Sequence, residues 1–328
     1  MTLRKIVLAG GGMVFLSLLL LACAAPPVPV TPSATPAAVT SQAIVPSATA
    51  TPAPPQSTPA PSQTARPSQG KTSSPTAPAA VSWEDLPVVP TSFSERALEI
   101  YQRGLEMGNR PDAFSKVGDC ESQTTWYLWD FDQEEDLYSL GDYGQLQEVI
   151  DYYHGSFGRL SLAANRGFTA ASLMTSLWAD QEKCQQDESP LACEYRIHRP
   201  SMALITLGTN DASRPEKFEA NMRLVIEYSI QQGVLPILAT KADNVEGDNQ
   251  INATIAALAQ EYELPLWNFW AAAQDLPDQG LQEDGAHLTW SPNHFEDEQN
   301  MRRAWPVRNL TALQVLDVAW HSVNSQNR

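Results

Sequence analysis

The sequence predicts an α/β protein: a three-layer domain with a mostly parallel five-stranded sheet and helices on both faces, set behind a disordered tether. Three observations predict it. From residue 91 to residue 328, short apolar runs alternate with amphipathic stretches of helical spacing, the pattern of strand–helix–strand units that build a parallel sheet. One run, Met202-Ala203-Leu204-Ile205-Thr206-Leu207, is almost continuously apolar, as expected of a strand covered above and below. Between Ala24 and Pro90 lie 16 of the 25 prolines, mixed with Ala, Ser and Thr. That composition cannot bury enough apolar surface to offset chain entropy.

Residues 1–22 read as a signal peptide. Arg4 and Lys5 precede an apolar run interrupted by Gly10, Gly11 and Gly12, too short and broken for a confident membrane span. The run ends in Leu20-Leu21-Ala22-Cys23, which resembles a bacterial lipobox. That resemblance implies cleavage before Cys23, its lipidation, and an extracytoplasmic protein held on the cell membrane by acyl chains; the plainer reading is an ordinary signal peptide with a chance cysteine. Residues 23–90 form the tether, extended by their prolines, and residues 91–328 are the right size for one domain. The net charge of −17 sits almost wholly in that domain, which gives it no electrostatic reason to bind nucleic acid.

Within the domain, Phe93 to Met107 is a helix and Ala113 to Val117 the first strand. Leu146 to Tyr153 is a helix and Leu160 to Ala164 a second strand. The third strand is the apolar run at 202–207. Ser213-Arg214-Pro215-Glu216 has the form of a capping box with a first-turn proline. The helix it opens carries Phe218, Met222, Val225 and Ile226 on one face and ends at Gly233. Val234 to Ala239 is the fourth strand. A helix with Ile251, Ile255, Leu258 and Ala259 follows, then Leu264 to Phe269 as the fifth strand. A last helix bears Leu313, Leu316 and Trp320.

Polar clusters follow several of these strands. Ligands of open α/β sheets bind outside the carboxyl ends of the strands. After the first strand stands Gly118-Asp119-Cys120-Glu121-Ser122, where Cys120 is either a nucleophile or a small turn residue. Gly208-Thr209-Asn210-Asp211 follows the third strand, and Asp284-Gly285-Ala286-His287 ends the loop after the fifth. An Asp three residues before a His can hold the imidazole Nδ1–H and leave Nε2 to take a proton. An Asn amide at a strand end is a donor toward a developing oxyanion.

Together these blocks resemble the SGNH (GDSL-type) hydrolase family, over most of the domain from Val117 to His287. Gly118-Asp119-Cys120 lies on the family's Gly-Asp-Ser block, with Cys120 in the serine position. Gly208 to Asp211 matches its Gly-x-Asn-Asp block, and Asp284 to His287 its Asp-x-x-His block. Asn165-Arg166-Gly167-Phe168-Thr169-Ala170 aligns with the oxyanion glycine at Ala170, with Gly167 as the alternative. The resemblance implies an SGNH/flavodoxin-like sheet and an esterase requiring no metal or cofactor. Cys120 is its nucleophile, His287 its base and Asp284 the orienter of that base, with oxyanion donors near Cys120 and Ala170 and on Asn210. The implied substrate is a small-molecule or polysaccharide ester. A thiol beside a histidine at a helix N-terminus is expected to have a lowered pKa; if it does not serve, the domain is a degenerate, glycan-binding module or a surface scaffold.

The remaining cysteines and aromatics carry plainer readings. Cys184 and Cys193 flank one polar loop in an oxidising compartment, so a local disulfide is expected; a metal site with His198 is the outside reading. That pairing leaves Cys120 as the odd thiol. Ser122, two residues on, is expected to turn away from His287. Asp119 and Asp211 read as turn and cap residues, and His294 as a loop residue. Trp126, Trp129 and Trp290 lie near the motifs in sequence and are either core residues or a surface on which a sugar ring stacks.

Overall fold

A computed structural model of the protein describes residues 81–133 and 137–325. The expected signal peptide, the expected lipidation site Cys23 and the expected tether as far as residue 80 lie outside these residues. In chain order the described residues form α1 (Glu95–Glu106), β1 (Arg110–Gly118), α2 (Cys120–Gln123), β2 (Tyr138–Ser139), α3 (Gln147–Tyr152), α4 (Pro190–His198) and β3 (Pro200–Thr206). There follow α5 (Phe218–Gln231), β4 (Leu235–Ala239), α6 (Gln250–Glu261), β5 (Leu266–Trp267), α7 (Phe269–Gln274), β6 (Asn293–His294) and α8 (Ala304–Ser325). The main sheet is parallel throughout, in the order β1-β3-β4-β5. Strands β2 and β6 make a separate parallel pair.

Consecutive residues of β3 and β4 are buried, so both faces of the sheet are covered, as the continuous apolar run predicts. The helices α5 and α6 pack on β4 and on each other, while α8 packs against α1, α3 and α7. Ser94 caps α1 by accepting from Ala97 N at 3.0 Å. Gly233, at φ +65°, follows the end of α5 in a conformation that favours glycine.

Among the described residues the main sheet has four strands, not five. The expected second strand at 160–164 reduces to one parallel bridge, Gly118 with Ala164, so it keeps its place beside β1 without a ladder. The cause is local. Ala163 N–H, which faces β1 and would be the next ladder donor, goes instead to Ser161 Oγ at 3.0 Å, and Leu160 is exposed. Residues 81–90, read from sequence as the last part of a tether, are part of the described structure. They are seated on the domain: Asn268 donates through its side chain to the carbonyls of Trp83 and Leu86, and through its backbone to Val88. Trp83 meets Trp270 edge to face.

The capping box at 213–216 does not form. Pro215–Lys217 is a 3-10 turn with no side-chain cap, and α5 starts after it at Phe218. The sequence reading missed the short helices α4 and α7. In α4 the signal was present: Ser189 caps it, accepting from Ala192 N, and Pro190 takes the first turn.

Candidate active site

Strand β1 ends at Gly118, where nothing larger fits. A Cβ there would collide with Ser122 Oγ and the Thr206 carbonyl. Asp119 is extended, and its carboxylate accepts from Glu121 N at 3.0 Å, opening the single turn α2. Cys120 is the first residue of that turn and stands half-buried at the carboxyl edge of the sheet. Ser122 faces inward, 1% exposed and bonded to Thr206 Oγ1, so it is turned away from the cleft, as expected.

His287 arrives on a tight loop. Gln282 N donates to the His287 carbonyl at 2.8 Å. Asp284 Oδ1 accepts from the backbone N–H groups of Ala286 and His287, both at 3.0 Å, while its Oδ2 lies 2.6 Å from His287 Nδ1. One carboxylate therefore fixes both the loop and the imidazole. Nε2 then points at Cys120 Sγ, 3.9 Å away, at the long end of reach for sulfur. Between them runs a brace that the sequence reading missed. Glu121 accepts from Leu288 N at 3.1 Å and from Arg308 Nη1 at 2.7 Å, tying the cysteine turn to the histidine loop and to α8. Arg308 is nearly buried, packed over the rings of Tyr127 and Trp305. Its signal in the sequence was an isolated charge inside an apolar helical run.

The electrostatics divide the site. Backbone and imidazole hydrogen bonds from His287 hold Asp284 down, at about 2, and the Asp284 hydrogen bond raises His287. Cys120 moves the other way: burial first, then the carboxylates of Asp119 and Glu121, push its thiol up to about 11. This overturns the expected lowering. The four-residue α2 has too small a dipole to outweigh burial of the sulfur and the two acids that add to it. Burial likewise raises Asp119 to about 6, and raises Glu121 to about 7 against the pull of Arg308.

The expected oxyanion donors fare differently. Ala170 is fully buried, and its N–H faces the Asp211 carboxylate at 3.2 and 3.3 Å. It is therefore already engaged, and the expectation that it faces the oxyanion is corrected. Asp211, whose acid burial raises to about 6, is the tie that holds it. Gly167 is exposed at φ +80° in the turn closed by Phe168 N to the Asn165 carbonyl. Asn210 gives one amide hydrogen to the Phe168 carbonyl at 3.0 Å and retains a second. It is placed by Gly208, whose φ of +132° and contact with Ile251 exclude other residues.

Cys184 and Cys193 are joined in a disulfide, so their sulfurs are not free to form a metal site with His198. His294 lies in β6, paired with Ser139 of β2, and does not line the cleft. A cleft of about 350 Å³ is lined by Cys120, Thr124, Trp126, Arg166, His287 and Trp305, with Glu121, Gln282 and Leu288 completing it. Arg166 and Gln282 were not anticipated. Trp126 and Trp290 are both about half exposed, with ring centroids 6.5 Å apart, whereas Trp129 joins neither this pair nor the cleft. Among the described residues no helix is long and apolar enough to cross a membrane.

No family model matches the chain. The chain is similar to thioesterase 1/protease 1/lysophospholipase L1 of Escherichia coli strain K12, at 27% identity over 136 residues, covering 39% of this chain and 62% of that protein. It thus spans less than two thirds of that relative's length. Among solved structures it is similar to a GDSL-like lipase from Bacteroides thetaiotaomicron, at 14% identity and a TM-score of 0.39, covering 69% of this chain and 100% of the other. It is also similar to the psychrotrophic esterase EstA from Pseudoalteromonas sp., at 15% identity and a TM-score of 0.37, covering 66% and 98%.

Proposed function

We propose that the protein is an SGNH (GDSL-type) ester hydrolase, anchored through Cys23 on the outer side of a cell membrane, acting on carboxylic esters such as acyl groups of envelope or extracellular polysaccharide. The observation that carries this reading is the relay Cys120 Sγ–His287 Nε2, 3.9 Å, with His287 Nδ1–Asp284 Oδ2, 2.6 Å, at the carboxyl edge of a parallel sheet. Similarity to a thioesterase and lysophospholipase supports the reaction class.

With its thiol held protonated, Cys120 works by general-base catalysis and not as a resting thiolate. His287 Nε2 takes the thiol proton as sulfur bonds to the ester carbonyl carbon. The second amide hydrogen of Asn210 is the candidate side-chain donor to the oxyanion. The C–O bond breaks and the alcohol leaves with the proton from His287. Water then gives a proton to His287 and attacks the thioester; the acid departs, and the proton returns to sulfur.

The test is p-nitrophenyl acetate hydrolysis by the full chain and its variants. The reading expects turnover that falls by roughly a thousandfold in His287→Ala and Cys120→Ala. Undiminished turnover in His287→Ala removes the relay. A second reading is favoured by the raised Cys120 thiol and the engaged Ala170 N–H: a degenerate domain that binds a glycan without turnover. An inactive wild type whose Cys120→Ser variant hydrolyses the ester selects it.

A further inference from the structure

We propose that Trp126 and Trp290 form a platform for a pyranose ring, extending the cleft of Cys120 and His287 into a subsite for the sugar part of a glycan ester; the inference rests on the ester-hydrolase reading and specifies its substrate. Trp126 lines the cleft with Cys120 and His287. Trp290, 6.5 Å from it by ring centroids and tilted by 45°, carries the aromatic wall outward. Both are exposed, at 47% and 52%, which is unusual for indoles with a well-packed core beside them.

The platform is pre-set. The Trp126 carbonyl accepts from the buried Asn309 amide at 2.8 Å, and the next residue but one, Leu128, donates its N–H to the same side chain at 3.1 Å. Trp126 also rests edge-on against Trp305, 6.1 Å away. Trp290 stands between Thr289, whose carbonyl takes Trp305 N at 3.0 Å, and Ser291, which bonds Asn300 at 2.6 Å. With the backbone held at both positions, only the indole torsions remain to be ordered when a ligand lands on them.

The surroundings select the ligand. An acyl chain would remove water from Thr124, Arg166 and Gln282, which line the same cleft, and offer them nothing in return. A pyranose ring has an apolar C–H face for the indoles and a rim of hydroxyls. Those hydroxyls meet the Arg166 guanidinium, the Thr124 hydroxyl and the Gln282 amide oxygen, whose partner Nε2 already donates to the Leu288 carbonyl. In the wall of the same cleft, the buried Trp305 Nε1–H lacks a hydrogen-bond partner.

Calorimetric titration of the full chain with cellohexaose, xylohexaose and chitohexaose tests this without requiring turnover, alongside p-nitrophenyl acetate hydrolysis as a sugar-free reaction. The expected result is binding of at least one hexasaccharide, weakened about five- to tenfold in Trp126→Ala and in Trp290→Ala and less in Trp126→Phe. Ester hydrolysis with no hexasaccharide bound, or bound equally by the variants, overturns the platform and leaves the hydrolase reading standing. Tryptophan-dependent hexasaccharide binding with no ester hydrolysis upholds the platform and removes the hydrolase reading. Tryptophan-dependent binding of decanoate in place of any sugar overturns the platform in favour of an acyl groove.

Discussion

At Cys120 the side chain and its surroundings pull in opposite directions. Sulfur is the better nucleophile as a thiolate, yet burial and the acids on either side hold its proton, so that it titrates at about 11. Alkylation of the full chain by iodoacetamide should therefore be slow at pH 7 and still accelerating at pH 10. A rate already level below pH 7 would mean a resting thiolate–imidazolium pair. His287 sets the ascending limb of any rate profile, because only its neutral form accepts a proton. Its pKa is raised by Asp284, so kcat/KM for p-nitrophenyl acetate should rise through a midpoint above the ordinary histidine value of about 6.5, and Asp284→Asn should move that midpoint down. The spacing of Asp284 and His287 made their pairing legible in the sequence. The sign of the cysteine shift was not, because it depends on how deep Asp119 and Glu121 lie, which spacing does not encode.

On the scale of elements, the site is held by three ties: the turn after β1, the loop ending at His287, and α8. Glu121 joins all three. Replacing it with alanine would strand the Arg308 cation, whose Nε already lacks a partner, and should cost about 3 kcal/mol of stability, read by urea denaturation. Glu121→Gln keeps an acceptor for Leu288 N and should cost less. Equal losses in the two variants would mean that the acceptor kept by glutamine is immaterial and that the charge pair carries the whole effect. The β1–turn–α2 unit was readable because a glycine ending an apolar run has few other uses. Strand-like composition at 160–164 was misleading because Ser161, inside the segment, takes the Ala163 N–H that a ladder to β1 needs. The 3-10 start of α5 was hidden for a similar reason: a capping box states which side chains are able to cap, not which backbone the loop after β3 allows.

For the molecule as a whole, several acids are buried at one edge of the sheet in a chain of net charge −17. Asp119, Glu121 and Asp211 have folded pKa values raised to about 6, 7 and 6. A carboxyl raised on folding makes the folded state bind more protons than the unfolded one, so stability falls as pH rises from about 4 to 7. His287, also raised, adds stability below its unfolded pKa and loses it as pH rises through the folded value, which is the same direction. Asp284, lowered to about 2, acts oppositely, but only below about pH 4. The melting temperature should therefore be higher at pH 5 than at pH 8 by roughly 3–8 °C, and Glu121→Gln should flatten the slope; a melting temperature that rises toward pH 8 would contradict the assignment. The central claim is that Cys120 takes up the acyl group from an ester under the control of His287. Intact-mass spectrometry of the full chain, quenched in acid during turnover of p-nitrophenyl acetate, tests it most directly. The account predicts a fraction of protein heavier by one acetyl group, mapped to Cys120 and absent from His287→Ala. An acetyl group found elsewhere, or formed on Cys120 equally fast without His287, would contradict it.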